Sequence, residues 1–465
     1  MKKLVLFGAG VYAKMYKSLL DYMEMSFDYF TDNDSTKYGT VLYGKLVISP
    51  ESLVALDCNI IISCSHGEQI KRQLADMGIV DKLIGLEDIC SQFKMKIEKS
   101  PVLGTRAGTE GVSVIVDMYE GIGWGGTEMW AASVAEGLHD NGYRVELFGS
   151  IEQPALDEKY ECMAERFSSE RTIECMVNRM RESLPFVLIN NFSGSAYLAA
   201  VMLKMQYPDK VHIINVIHND NKSLFNAHMM FGEWADAFMC VSDKIRKTMI
   251  REYGLDESKV YFKEQPIEID NGFSRVYDAV ERSLRIGYAA RLVKQQKRTD
   301  LFPEIISKIE SITINYQLEI AGDGECLPLI RDFVQSNNLE ERVILKGRID
   351  KADMPEFWKR QDVYLNFSEY EGTSLSMLEA MSYACVPVVT DVSGVSEFVE
   401  EGKNGFVCKV GDLDGICKAI GYLEQHKELL EEYGELCRNE ISGRCKKEDY
   451  IEFMQSVINT VEGKK

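Results

Sequence analysis

Short apolar runs alternate along this chain with longer segments in which apolar residues recur at helical spacing. Near the start, apolar runs at 4–7, 27–31 and 59–63 predict strands, and a helix ending near Tyr22 is predicted between the first two. The same pattern predicts later strands at 112–117, 144–149, 186–190, 211–217, 285–290, 317–321 and 343–345, and a last helix at about 448–461. Buried strands that alternate with helices indicate an α/β protein with doubly wound parallel sheets.

The alternating pattern falls into three blocks. A polar boundary at 97–111, which contains Pro101 and several glycines, interrupts the pattern after the first block. We assign residues 1–100 to the first block, 111–280 to the second and 281–465 to the third. In a chain of 465 residues, each block is long enough to bury its own core. Because the strands of the first block are complete before the boundary, we expect that block to fold independently.

Charge and composition narrow the classes of function. With 45% apolar and 27% charged residues, the chain has the composition of an ordinary globular protein. Its net charge of −20 argues against nucleic-acid binding and broad docking on anionic lipid, but leaves peripheral membrane contact through a local patch open. No apolar run in the sequence approaches the ~20 residues of a membrane span. Twelve cysteines without a C-x-x-C pair indicate a reducing, cytoplasmic setting and no metal site.

A glycine-rich turn follows the first predicted strand. It has the pattern G-x-G-x-x-A, with Gly8 and Gly10 as its glycines, and Asp32 follows the second strand. In a βαβ unit such a turn binds a diphosphate, and an acid about twenty residues later binds the ribose. The block resembles the nucleotide-binding domain that precedes some bacterial sugar acetyltransferases. We therefore predict a nucleotide or sugar-nucleotide site here; the alternative is a Rossmann-like spacer or interface that binds nothing.

Two acidic residues flank the start of a predicted helix in the third block. A strand ends at about Ser368, a tight turn carries Glu371, and a helix opens at about Ser374 and carries Glu379. Because a helix N-terminus has unpaired N–H groups and a partial positive charge, this turn is suited to binding a diphosphate. The spacing of the two acids corresponds to ~12 Å along a helix, so one can bind a sugar and the other a ribose. A helix start that merely carries solvated acids is the alternative.

The E-x7-E pair and the segments after it point to a family. The segment 378–389, which contains Glu379, and the segments 394–399 and 402–407 come after Glu371. Together with the E-x7-E pair, these segments resemble the retaining glycosyltransferases of family 4. The resemblance covers the second and third blocks. It implies an α/β GT-B fold of two facing Rossmann-like domains, preceded here by an additional Rossmann-like nucleotide-binding domain. It also implies that the last helix packs back on the second block.

The resemblance implies roles for the basic residues that open the third block. Arg291 and Lys297 would neutralise the diphosphate of the donor. Arginine presents a planar fork and lysine a point charge, and together they would offset the charge that grows on the leaving phosphate. Because their spacing is one residue longer than the commonest form, Lys294 or Arg298 could take the place of Lys297.

The resemblance also implies where the sugar and the leaving group lie. Glu371 would hold the donor sugar and Glu379 the ribose. The departing diphosphate would be bound by the amides of Gly372, Thr373, Ser374 and Leu375. In the second block, His218 would lie beside the sugar, and the turn Gly125-Gly126 would come close to the diphosphate.

These features predict an enzyme that moves a sugar from a nucleoside diphosphate sugar, expected to be a UDP-sugar, to an acceptor hydroxyl with retention. The acceptor would be a carbohydrate, a lipid-linked sugar or a glycoconjugate, in surface polysaccharide or glycoconjugate assembly, and no cofactor or metal would be required. One alternative is a catalytically inactive sugar-nucleotide-binding partner or scaffold, although the basic and acidic pairs are both present. Another is a sugar-nucleotide epimerase or a phosphorylase on the same fold.

Overall fold

The computed structural model describes residues 2–90, 112–118, 126–150, 164–167, 172–191, 194–277 and 282–463. These residues form two compact units. Unit 1 takes in the described parts of Met1–Ile217, Lys222–Phe238 and Gln455–Lys465, and unit 2 those of His218–Asn221 and Met239–Met454. Within the described part of the chain, no helix is both long and apolar enough to cross a bilayer.

Unit 1 begins with a five-stranded sheet. Its strands are β1 (Lys3–Phe7), β2 (Tyr29–Thr31), β3 (Val41–Leu42), β4 (Lys45–Ile48) and β5 (Cys58–Ile62), in the order β3-β4-β2-β1-β5. All neighbours are parallel except β3 and β4, which form a hairpin. The helices α1 (Ala13–Tyr22) and α2 (Ser52–Ala55) connect parallel strands of this sheet, and α3 (Gly67–Asp76) follows β5. This is the predicted Rossmann-like first block.

The second predicted strand is shorter than its apolar run. It begins at Tyr29 rather than Phe27, and the preceding Asp28 contacts the first strand through both its backbone N–H, which donates to the Leu4 carbonyl at 2.8 Å, and its side chain. The Asp28 carboxylate accepts the N–H of Leu4 at 2.9 Å and the ammonium of Lys3 at 2.9 Å. The Phe27 ring instead packs edge-on against Phe30 in the core, with ring centres 4.9 Å apart.

A second sheet has seven strands. They are β6 (Ser113–Asp117), β7 (Arg144–Ser150), β8 (Ala164–Phe167), β9 (Phe186–Asn190), β10 (Val211–Ile217), β11 (Ala237–Cys240) and β12 (Val260–Phe262), in the order β12-β11-β10-β9-β6-β7-β8. The helices described in this part of the chain are α4 (Gly126–Asp140), α5 (Thr172–Glu182), α6 (Ser195–Gln206), α7 (Lys222–Met229) and α8 (Asp243–Arg251). The pairings of β6 to β10 are parallel, as a doubly wound sheet requires.

The first block shares a hydrophobic core with the second block. Helix α1 packs against α5. Tyr16 and Leu19 of α1 lie in one buried cluster with Met176 and Met180 of α5 and with Leu198 of α6. An amphipathic helix needs only one apolar stripe to cover its own sheet, but α1 buries residues against two partners. This shared core argues against a first block that folds independently.

The third sheet belongs to unit 2. Its strands are β13 (Leu284–Ala289), β14 (Tyr316–Ala321), β15 (Val343–Gly347), β16 (Val363–Asn366), β17 (Val386–Thr390) and β18 (Phe406–Cys408), in the order β15-β14-β13-β16-β17-β18. Every pairing is parallel. The helices of this part are α9 (Phe302–Ile312), α10 (Leu327–Ser336), α11 (Met354–Trp358), α12 (Leu375–Ser382), α13 (Leu413–Gln425), α14 (Leu429–Arg444) and α15 (Lys447–Val461). The C-terminal part of α15, from Gln455, groups with unit 1.

Candidate active site

The chain turns sharply where β16 ends. The Asn366 side chain accepts the N–H of Ser368 at 2.8 Å, which closes a turn immediately after the strand. Helix α12 then begins at Leu375. Glu371 therefore lies in the turn and Glu379 in the helix, as the sequence predicts. This turn stands at the carboxyl edge of a parallel sheet, where α/β proteins bind ligands.

Glu371 is a buried carboxylate with three partners. Only 5% of the residue is exposed. The carboxylate forms an ion pair with Lys297, and it accepts from Ser368 Oγ at 2.7 Å and from Gln296 Nε2 at 3.2 Å. A buried charge needs such pairing to offset its lost hydration. The structure thus brings Lys297 and Glu371 together, two residues that the sequence assigned separately to the diphosphate and the sugar.

The loop that carries Lys297 has an uncommon backbone. Gln296 and Arg298 both lie in the left-handed region, with φ of 67° and 51°. For residues other than glycine this conformation costs of order 1–3 kcal/mol and is often found at functional sites. The Gln296 carbonyl accepts the N–H of Glu369 at 2.7 Å, and its side-chain amide also donates to Asn219 Oδ1 at 3.3 Å. Gln296 was not predicted as a site residue; the one available signal was the extra residue in this loop.

The other basic residues of this loop lie in different surroundings. Arg298 contacts the exposed Glu369 at 3.4 Å, and Lys294 is exposed with its backbone N–H bound to Glu325 at 2.9 Å. Arg291 is exposed, and among the described residues its guanidinium has no ion-pair partner. Of these basic side chains, Lys297 is the one that pairs with Glu371. The role of Arg291 stays a prediction.

The segment after β10 lies against the turn that carries Glu371. The N–H of Asp220 donates to the Glu371 carbonyl at 3.1 Å. A Cβ atom on Gly372 would lie 1.9 Å from the carbonyl oxygen of His218, so only glycine fits there. His218 itself is half-buried. The structure therefore places the backbones of His218 and the turn in contact, whereas the role of the His218 side chain stays a prediction.

The start of α12 is fixed by backbone and side-chain contacts. Thr373 Oγ1 donates to the carbonyl of Val241 at 2.8 Å. A Cβ atom on Gly394, whose φ is 80°, would lie 2.3 Å from that hydroxyl. Ser374 occupies the N-cap position but makes no side-chain capping bond. Because the cap is missing, the first N–H groups of α12, which begins at Leu375, keep their capacity to bind an anion.

Glu379 lies one turn into α12 and is half-buried. Burial raises the pKa of this carboxyl to about 7, and Glu268 acts in the same direction. The nearby Lys351 ammonium and the indole of Trp358 act in the opposite direction. Near neutral pH, Glu379 is therefore present in both protonation states, unlike an ordinary surface glutamate.

The candidate site of the first block is partly occupied by its own side chains. Gly8 has a φ of 127°, and a Cβ there would lie 2.8 Å from the Ser63 carbonyl, whereas the space around Gly10 is open. The Asp32 carboxylate accepts the N–H of Ala9 at 2.7 Å and the Lys37 ammonium at 3.0 Å. Although burial opposes ionisation, hydrogen bonds from backbone N–H groups and from Lys37 hold the pKa of Asp32 below its usual value. Nucleotide binding here stays a prediction.

The glycine pair predicted in the second block is described only in part. Gly126 is the first residue of α4, and Gly125 lies outside the described residues.

Two family models match the chain. Residues 283–426 match the family described as "Glycosyl transferases group 1", and residues 1–84 match "C2185-like, N-terminal". The glycosyltransferase resemblance predicted from the sequence is confirmed. The resemblance of the first block to acetyltransferase domains is not confirmed, since a different family model matches there.

Similar proteins and structures extend these matches. The N-acetyl-alpha-D-glucosaminyl L-malate synthase of Bacillus anthracis is 22% identical over 281 residues, 57% of this chain and 72% of that protein. The poly(ribitol-phosphate) alpha-N-acetylglucosaminyltransferase of Staphylococcus aureus is 28% identical over 38% of this chain and only 35% of that protein. The crystal structure of Anabaena HepE in complex with UDP and glucose has a TM-score of 0.64 and 15% identity, covering 75% of this chain and 100% of HepE. Such structural neighbours establish the GT-B fold. The five-stranded sheet is additional to that fold and comes before it in the sequence.

Proposed function

We propose that this chain, whose residues 283–426 form a group 1 glycosyl transferase domain, transfers a sugar from a nucleoside diphosphate sugar to an acceptor hydroxyl. The observation that carries the proposal is the ion pair between Lys297 and the buried Glu371, which lies in the turn that precedes the uncapped helix α12. A cation and free N–H groups suit a diphosphate, and a buried carboxylate suits sugar hydroxyls. The three kinds of group that a sugar nucleotide needs thus lie within one short segment and its neighbouring loop.

The donor is inferred to be a UDP-sugar. HepE was crystallised with UDP and glucose, and both relatives carry "alpha" in their names. Because common UDP-hexose donors are themselves α-linked, an α-linked product corresponds to retention at the anomeric carbon. The acceptor is inferred to be a carbohydrate, a lipid-linked sugar or a glycoconjugate.

In the proposed reaction the bond between the anomeric carbon and the diphosphate oxygen breaks, and a bond to the acceptor oxygen forms on the same face. The acceptor proton passes to the departing diphosphate. Lys297 has three N–H donors, so it can keep its bond to Glu371 while it also binds a phosphate oxygen. Arg291 and the amides from Gly372 to Leu375 would share the negative charge that develops on the leaving group. Such a reaction depends on positioning and charge stabilisation rather than on a strong base.

The test is a screen for nucleotide release. The purified protein is incubated with UDP-glucose, UDP-N-acetylglucosamine and other nucleotide sugars, with and without simple sugar acceptors. Release of UDP that depends on an acceptor would support the transferase. Binding without release would favour an inactive partner protein, and conversion of the donor sugar without release would favour an epimerase; either outcome would contradict the proposal.

We predict that activity survives a strong chelator. The diphosphate's countercharge is assigned to Arg291, Lys297 and the N-terminus of α12, so removal of divalent ions leaves the charge compensation in place. Initial rates are measured after dialysis against EDTA, with added magnesium or manganese as the control. Complete loss in EDTA, restored by either ion, would contradict the metal-free mechanism.

We predict that UDP-glucose binding weakens as the pH falls below about 7. The carboxylate of Glu379 accepts hydrogen bonds from ribose hydroxyls in the proposed complex, and its pKa is raised to about 7. Affinity should therefore fall by up to about tenfold for each pH unit below that value. The stability of the fold should change with pH in the opposite sense. Because the pKa of Glu379 is raised in the folded protein, its contribution to stability is complete below the ordinary pKa of 4.5 and is lost as the pH rises through 7.

The measurement is calorimetric titration with UDP-glucose at several pH values, and Glu379→Gln is the matched control. The diphosphate of a nucleotide sugar has no secondary ionisation in this range, so the ligand does not contribute to the trend. If the Gln variant shows the same pH dependence of UDP-glucose binding, that dependence belongs to a group other than Glu379.

A further inference from the structure

Tyr364 lies at the centre of a buried polar chain beside the proposed donor site. Tyr364 is a residue of β16 and is only 1% exposed. Its hydroxyl accepts from Asn366 Nδ2 at 3.0 Å and lies 3.0 Å from Ser374 Oγ and 3.1 Å from Ser376 Oγ. The hydroxyl thus joins the end of the strand to the first residues of α12.

The hydrogen bonds between Tyr364, Ser374 and Ser376 determine how the N-cap residue of α12 is placed. Ser374 has φ and ψ of −73° and 108°, the extended backbone that an N-cap residue adopts, yet its side chain makes no capping bond. A serine in this position normally accepts an N–H of the second or third helical residue. Here its hydroxyl is held instead by Tyr364 and Ser376. The helix N-terminus is left open in a position where its own serine would otherwise close it.

The hydrogen bond between Tyr364 and Asn366 begins a second series of contacts, which ends at the carboxylate of Glu371. Asn366, held by the Tyr364 hydroxyl, accepts the N–H of Ser368 at 2.8 Å. Ser368 Oγ in turn donates to Glu371 Oε1 at 2.7 Å. Through these three bonds the same hydroxyl supports both the open helix end and the position of Glu371.

We propose that Tyr364 is a positioning residue that keeps the N-terminus of α12 open for the donor diphosphate by holding the Ser374 hydroxyl away from the helix N–H groups. This rests on the proposed function, since it assigns the helix end to the diphosphate. Without the Tyr364 hydroxyl, the Ser374 side chain rotates to cap its own helix and competes with the phosphate oxygens for the same N–H donors.

The test compares Tyr364→Phe with the double variant Tyr364→Phe/Ser374→Ala. UDP is the probe, because it carries the diphosphate without the sugar, and its Kd is measured by calorimetry. Tyr364→Phe should weaken UDP binding by about tenfold, the factor that corresponds to one capping hydrogen bond. The double variant should regain most of that affinity, because the competing hydroxyl is gone. A general folding defect would not be relieved by removing a second hydroxyl.

Tyr288→Phe is the matched control. Tyr288 is an equally buried tyrosine of β13, and among the described residues its hydroxyl has no hydrogen-bond partner. This control should bind UDP with the affinity of the unaltered chain. Unchanged affinity in Tyr364→Phe, or a loss that Ser374→Ala does not relieve, would overturn the positioning role. Absence of UDP binding by the unaltered chain would instead overturn the proposed function, so the two failures are distinguishable.

Discussion

Lys297→Ala is expected to lower turnover by roughly 30- to 900-fold, and Arg291→Ala by a comparable factor. Each change removes positive charge that stabilises the departing diphosphate in the transition state, at a cost of about 2–4 kcal/mol if it resembles the loss of an oxyanion donor. The measurement is the steady-state rate of acceptor-dependent UDP release at saturating donor. Near-normal rates in both variants would show that the diphosphate is bound elsewhere.

The two variants should differ in fold stability. The Lys297 side chain is 13% exposed and pairs with the Glu371 side chain, which is 7% exposed, so removal of Lys297 leaves a buried carboxylate without its cation. Breaking such a pair costs about 3–5 kcal/mol of unfolding free energy. Arg291 is exposed, and its loss should change stability by less than about 0.5 kcal/mol.

The double variant Lys297→Met/Glu371→Gln separates the two effects of Lys297. It should recover much of the stability, because the unpaired charge is gone, while turnover stays low. Urea unfolding of each variant provides the comparison. Recovery of turnover in the double variant would mean that Lys297 acts only by neutralising the buried charge of Glu371, and that the diphosphate does not need its ammonium.

Glu379→Ala and Glu371→Ala should weaken donor binding in two different ways. Glu379 is assigned to the ribose, so its loss should weaken UDP and UDP-glucose equally, by about 10- to 150-fold for hydrogen bonds to a charged group. Glu371 is assigned to the sugar, so its loss should weaken UDP-glucose and leave UDP nearly unaffected. Calorimetry with both ligands gives the four dissociation constants.

The Gln variants at both positions serve as controls for shape. Gln keeps the size of the side chain and one acceptor oxygen, so Glu379→Gln should lose less affinity than Glu379→Ala. An exchange of the two patterns would refute the assignment of the carboxylates. Equal effects of both changes on both ligands would contradict the idea that each acid contacts a different part of the donor.

The sequence predicted the elements that carry the site because hydrophobic periodicity is a local property. Strands β9 and β10 occur at the predicted residues, and α12 opens where the glycine-containing turn indicated. The pairing of Lys297 with Glu371 could not be predicted from periodicity, since 74 positions separate them along the chain. It depends on β13 and β16 being neighbours in the third sheet, and strand order is set by packing across the whole unit.

Two contributors were missed because their residue types gave no signal. Tyr364 lies in an apolar strand, where a tyrosine is ordinarily a core residue, and only the positions of Asn366, Ser374 and Ser376 reveal the use of its hydroxyl. Gln296 belongs to a polar loop, and its contact with Glu371 requires a left-handed backbone that a sequence pattern does not specify. In both cases the function of the side chain depends on partners distant in the sequence.

The hydrophobic core that joins α1 to α5 and α6 has a consequence for how this gene can change. A shortened gene that starts after the first block would leave Met176 and Met180, which are fully buried in the intact protein, facing water. Newly exposed apolar surface of that kind is what cellular chaperones and proteases recognise, so the shortened product would be degraded and present at low abundance. Exchange of the first block between relatives would meet the same barrier unless α5 were exchanged with it. We therefore expect the two segments to be inherited together, with substitutions on one face matched by substitutions on the other.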